Sequence, residues 1–174
     1  MAHRGEHVVH MKGQQERNFA VRLEHRGGFR FLSQASEDGR LHGAPIQSDE
    51  PDPVGEASAH ATPALFGAAL THCLSASLLE TLRHAHVDVQ SFTADAITVV
   101  APNDEGLPRI RRVEVVLRPV VPADSQRLER CAEVFEKHCT VTASVRSAVP
   151  VEVRVDWQLV EAPEVLREVA TTRT

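Results

Sequence analysis

Hydrophobic and polar positions begin to alternate at Asn18, where Val21 and Leu23 are separated by Arg22 and followed by Glu24. Gly27-Gly28 interrupts the pattern before Phe29, Arg30, Phe31 and Leu32. Strand, Gly-Gly turn and strand together predict a β-hairpin. Glu37-Asp38-Gly39 predicts another turn and allows a short third strand around Leu41. Residues 44–61, APIQSDEPDPVGEASAHA, combine prolines, acids and small side chains, so a long loop is expected there. Thr62-Pro63 then reads as a helix start, Thr as N-cap and Pro at the first helical position. Apolar and small residues occupy nearly every side of the following ALFGAALTHCLSASLLETLRHAH. Such a helix is expected to be buried and central.

Downstream, VDVQSFTADAITVVAP predicts a strand with a bulge near Ser91, and Ile110, Val113, Val115 and Leu117 predict a second long one. The turn between them falls at Asn103-Asp104-Glu105-Gly106, and Pro119 and Pro122 are expected to end the second strand. A helix capped by Asp124 or Ser125 should run to about His138, with Leu128, Cys131, Val134 and Phe135 at core spacing. A helical turn after Cys139, a strand from Val149 to Trp157 and a weakly helical tail from Glu161 complete the reading. The order β-β-β-α-β-β-α-β is that of an α+β chain with a central helix.

Length and charge narrow the classes of function. The chain of 174 residues suits one domain, expected at 18–158 between a flexible arm at 1–17 and a tail at 159–174. A formal charge of −5 argues against nucleic acid, whose phosphates call for a basic surface. Arg109, Arg111 and Arg112 form the densest basic group and read as a solvated strand edge. No apolar run is expected to reach the roughly 18 residues that a membrane span needs. The opening MAHRGEHVVH lacks the apolar stretch of a signal peptide, so a soluble cytoplasmic protein is expected.

The three cysteines Cys73, Cys131 and Cys139, odd in number and widely spaced, do not look like a secreted disulfide framework. Cys131, at a core position of the second helix, reads as packing. Cys73, in the middle of the apolar helix, reads by itself as a small buried hydrophobe. For reactivity it would need a cationic neighbour, and His72 lies about 100° away around the helix. A Cys73–Cys139 disulfide is geometrically possible but not required. Two His-Cys pairs without C-x-x-C spacing do not make a zinc site, and His3, His7 and His10 lack acidic or thiolate partners. No Gly-x-Ser-x-Gly elbow supports a serine hydrolase. No cofactor and no metal are expected.

The stretches GAPIQSDEPDPVG, TPALFGAALTHCLSASLLETL and EVFEKHCTVTASV, with the long strands between them, resemble the OsmC/Ohr family. These are the osmotically inducible protein C-like and organic hydroperoxide resistance proteins. The resemblance covers about residues 18–158, and its clearest features are the Pro-initiated Cys helix and the second Cys near the end of the second helix. It implies an OsmC-like fold and an intertwined homodimer with the active site at the subunit interface. It further implies that Cys73 is the peroxidatic thiol, Cys139 the resolving thiol, an organic hydroperoxide the substrate and a dithiol the reductant. The family's thiolate-stabilising Arg matches best at Arg30, and next at Arg26. Two positions depart from the family pattern. Pro63-Ala64-Leu65 lacks the usual Glu that holds this Arg, and Thr140-Val141 follows the second Cys in place of Pro-Val. Asp49, Glu50, Asp52 or Glu56 could supply the missing carboxylate. The second reading is a weakly active or inactive dimer that binds a small hydrophobic ligand in the same cleft.

Overall fold

A computed structural model describes residues 16–161. They fall into two compact units divided in sequence between His60 and Ala61. Most of the expected arm, with His3, His7 and His10, lies outside the described residues, as does the tail beyond Glu161. Arg17, placed in the arm by its sequence, is tied down: it pairs with Glu37 and its guanidinium stacks 5.1 Å above the Phe19 ring.

The first unit is an antiparallel sheet of β1 (Phe19–His25), β2 (Phe31–Glu37) and β3 (Arg40–Ser48), in that order. Both expected turns form. Asp38 and Gly39 have φ of 47° and 81°, the left-handed pair of a two-residue hairpin. β3 is nine residues long, not the short strand expected, and takes up residues 44–48 of the expected loop. Gly43, Ala44 and Pro45 deceive the sequence reading because they occupy a bulge. His42 faces Ala35 and Ile46 faces Ser33, so three residues of β3 oppose Gln34 alone. The Gln34 amide donates to the carbonyls of His42 at 3.2 Å and Gly43 at 3.4 Å, tying the bulge to β2. A proline, lacking an N–H, is tolerated at such an interruption.

The second unit contains α1 (Thr62–His84), β4 (Ser91–Pro102), β5 (Pro108–Pro122), α2 (Leu128–Val134), a 3-10 turn at Phe135–His138, α3 (Thr140–Val145), β6 (Val151–Val155) and β7 (Gln158–Val160). β4 and β5 are antiparallel, whereas β6 and β7 both pair with β5 in parallel. Pro119 does not end β5. It sits between the segment paired with β6, which ends at Leu117, and the segment paired with β7, which begins at Val120. Its missing amide therefore falls at a break in that pairing. The bulge expected near Ser91 lies instead at Val99/Val100, where Arg111 is the extra residue on β5.

Two helix starts differ from the sequence reading. Ala61, not Thr62, is the α1 cap residue and makes no side-chain bond; its carbonyl accepts from the Ala64 and Leu65 amides. Arg127, in the left-handed region at φ 64°, delays α2 to Leu128, beyond Asp124 and Ser125.

Helix α1 is the long apolar helix expected, but it is not buried all round. Leu70, Leu74, Leu78 and Leu82, spaced by one turn, are fully buried in a core with Val113, Val115, Leu117, Val121 and Phe135. Ala64, Ala68, Ala69, His72, Ala76 and Leu79 are exposed in the single chain. A sheet covers only one side of a helix, so one stripe is removed from water. Gly67 permits the close approach: a Cβ there would lie 2.5 Å from Thr98 Oγ1. Contrary to expectation, α1 is by length and composition apolar enough to cross a membrane, with a mean hydropathy of 1.3. Its leucine stripe is spent on the protein core.

Candidate functional site

Cys73 sits one residue before the buried Leu74, so it lies at the edge of the stripe and is half-buried. Cys139 is fully buried at the junction between the 3-10 turn and α3. Its backbone is extended there and its amide donates to the Glu136 carbonyl at 3.2 Å. The fold makes the two sulfurs neighbours close enough for Cys73 to influence the ionisation of Cys139, and both thiols are free. Cys139 Sγ also donates to Thr142 Oγ1 at 3.1 Å. Burial chiefly, and then the neighbouring Cys73, push the Cys139 thiol up; the contact with Thr142 opposes this in part. Cys139 is therefore a protonated, shielded sulfur, and Cys73 the one that lines an opening. Cys131 is buried in α2 and its thiol is pushed up by burial, opposed in part by Arg127. That fits packing.

The opening beside Cys73 is a cleft of about 520 Å³. Cys73, Ala76, Ser77, Glu80, Thr81 and His84 form its α1 wall, with Val134 and His138 opposite. Glu80 accepts from Arg83 Nε at 2.9 Å and Nη2 at 2.6 Å, and lies 2.9 Å from His84 Nε2. These contacts, led by the Arg83 hydrogen bond, hold its carboxyl below the usual range. His72 is exposed and does not line the cleft, in keeping with its angular offset. His138 is a cleft residue that the sequence reading missed. Its one signal was its place directly before Cys139.

Arg30 belongs to the first unit. Its Nε lies 3.4 Å from the Gly27 carbonyl, and its Nη1 is 3.5 Å from Glu56 Oε2. Of the four acids considered for the missing carboxylate, Glu56 is the one that reaches Arg30. Asp49 has another task. It is 2% exposed, and its carboxylate accepts from the amides of Glu50 (2.8 Å), Glu56 (3.3 Å) and Ser58 (3.0 Å), and from Ser58 Oγ (2.7 Å). Gly55 is required in this knot, because a Cβ there would lie 2.2 Å from the Glu50 carbonyl oxygen. Arg26 and Arg30 also line a separate hollow of about 390 Å³ with Phe31, Leu32, Gln47 and Ser58. Arg26 itself pairs with Glu24 at 2.8 Å.

The hydrogen bonds from Ser58, backbone first, lower the Asp49 pKa. A depressed carboxyl stabilises the fold above its unfolded value, about 4, and loses that contribution as pH falls through its folded value. Acidification below about pH 4 is therefore expected to release residues 49–58 before the rest of the unit. Amide hydrogen exchange at Glu56 and Ser58 measures this, and Asp49→Asn should show the same loosening already at neutral pH.

The family model described as OsmC-like protein matches residues 55–154. The chain is also similar to solved structures at low identity. An OsmC-like protein from Mycoplasma pneumoniae is 13% identical with a TM-score of 0.62, covering 86% of this chain and 100% of that one. An organic hydroperoxide resistance protein from Elizabethkingia anophelis is 16% identical with a TM-score of 0.57, covering 86% and 100%. A third, an organic hydroperoxide resistance protein OsmC from Legionella pneumophila, is 14% identical with a TM-score of 0.55, covering 85% and 100%. These likenesses concern the fold. No curated protein matches the sequence.

Proposed function

Because this chain belongs to the OsmC-like protein family, we propose that it is a thiol-dependent peroxidase that reduces organic hydroperoxides in oxidative stress defence. The observation that carries the reading is that a half-buried sulfur lining a cleft, Cys73, neighbours a shielded one, Cys139. The Cys73 thiolate attacks the terminal oxygen of the hydroperoxide, the O–O bond breaks, and an alkoxide leaves to be protonated as the alcohol. Cys73 is left as the sulfenic acid. The Cys139 sulfur then attacks the Cys73 sulfur, a disulfide forms and water departs; a dithiol reductant reopens the bond. Ala76 and Val134 in the cleft wall offer apolar surface to an alkyl tail. The resemblance assigns stabilisation of the thiolate to Arg30, which Glu56 holds within the first unit.

The proposed working form is a homodimer, as is general in the family. Exposed apolar side chains support it: Ala68, Ala76 and Leu79 on α1, and Phe19, Val21 and Leu23 on one face of β1. Three free thiols fit the reducing cytoplasm, where we place the protein.

Treatment of the reduced protein with one equivalent of an alkyl hydroperoxide tests the reaction. Mass spectrometry should find two thiols lost, mapped to Cys73 and Cys139, with Cys131 unchanged. Intact thiols under excess oxidant would reject the peroxidase and favour a dimer that binds a small hydrophobic ligand in the cleft.

A further inference from the structure

The cleft beside Cys73 contains four groups able to exchange protons: Cys73, Glu80 and His84 on α1, and His138 facing them from the 3-10 turn. Two of the four are committed to each other. Glu80 is held by Arg83 and His84, and the His84 Nε2 is engaged with that carboxylate. The His138 ring has no hydrogen-bond or ion-pair partner among the described residues. Its backbone is nonetheless fixed on both sides. Phe135 is buried at the start of its turn, Cys139 is buried directly after it, and Arg146 pairs with Glu136 within the same turn. An imidazole that lines a thiol cleft from a fixed backbone, with both ring nitrogens free of partners among the described residues, is a side chain suited to proton exchange.

We propose that His138 carries the proton of the peroxidatic step, an inference that rests on the peroxidase reading above. His138 accepts the Cys73 thiol proton and so generates the thiolate that attacks the terminal oxygen. The S–O bond forms, the O–O bond breaks, and its electron pair leaves on the alkoxide. The imidazolium then returns the proton to that alkoxide. The net change is thiol plus hydroperoxide to sulfenic acid plus alcohol, with no further reactant. Arg30 and His138 have different tasks in this scheme, charge stabilisation and proton transfer.

The test is the second-order rate of Cys73 sulfenic acid formation with cumene hydroperoxide, trapped with dimedone in the Cys139→Ser background. His138→Ala should lower it about 100-fold, the low end of what a positioned acid–base group contributes. Millimolar imidazole should restore much of the loss, a rescue that a merely structural role would not show. His138→Gln, which keeps side-chain bulk without a proton-exchanging group, should show the same loss and covers a folding defect in the Ala variant. His72→Ala, outside the cleft, should react as the parent does. Equal rates in parent and both His138 variants would overturn the role of His138 alone, as would a loss without rescue. A parent that forms no sulfenic acid would overturn the peroxidase reading and this step with it.

Discussion

Replacing Cys73 by Ser is expected to reduce hydroperoxide consumption to the buffer background, a fall of about 10⁴-fold or more, as for other covalent nucleophiles. The substitution keeps nearly the same volume at a half-buried position, so the fold should survive it. The result gains force from its partner. Cys139→Ser leaves the first sulfur in place and removes only the one that closes the disulfide. That variant should consume one equivalent of hydroperoxide, stop, and hold Cys73 as a sulfenic acid that dimedone traps. Peroxide consumption and intact mass measure both outcomes. If the Cys73 variant turned over at the parent rate, the chemistry would belong to another group. If the Cys139 variant cycled normally with a dithiol, resolution would not need the buried sulfur.

The second large effect is on stability. Leu74 is fully buried beside Cys73, in the stripe that joins α1 to β5. Leu74→Ala removes three carbons from a packed site and leaves a cavity that the surrounding side chains fill only in part. The expected cost is about 2–5 kcal/mol. Trp157, the only tryptophan in the sequence, packs against the same core, so its fluorescence reports this unit during urea unfolding. The midpoint should fall with little change in slope. Leu79→Ala, at an exposed position of the same helix, should cost far less in a monomer. A large cost there at high protein concentration, lost on dilution, would mark the α1 face as buried by a second copy.

Several features were legible in the sequence because they arise from local chemistry. Asp38-Gly39 can adopt two positive φ angles at little cost, which suffices for the hairpin turn. The apolar run after Thr62-Pro63 makes a long helix whatever covers it. Its sequence read as buried on nearly every side, however, and the stripe of Leu70, Leu74, Leu78 and Leu82 emerged only in the structure. Cys73 read by itself as packing, and it was the resemblance that singled it out and paired it with Cys139. Other features were hidden. Pro45 read as loop, but a bulge braced by Gln34 lets β3 run through it. Pro119 read as a strand end, but two different strands take up β5 on either side of it. The missing carboxylate for Arg30 could not be chosen among four acids by inspection. Asp49 folds the loop around itself, and Glu56 is the acid left beside the guanidinium.

The amino-acid order by itself determined most of the helix and strand segments, the apolar character of the long helix and which sulfurs are worth considering. Those properties depend on neighbours a few positions apart, and the chain contains them before it folds. Only the tertiary structure decided that β6 and β7 run parallel to β5, that a sheet covers a single side of α1, and that His138 lines the cleft of Cys73. The proximity of two sulfurs 66 positions apart was likewise decided there. These are contacts between segments distant in sequence, settled by which packing removes the most apolar surface while leaving each backbone amide a partner.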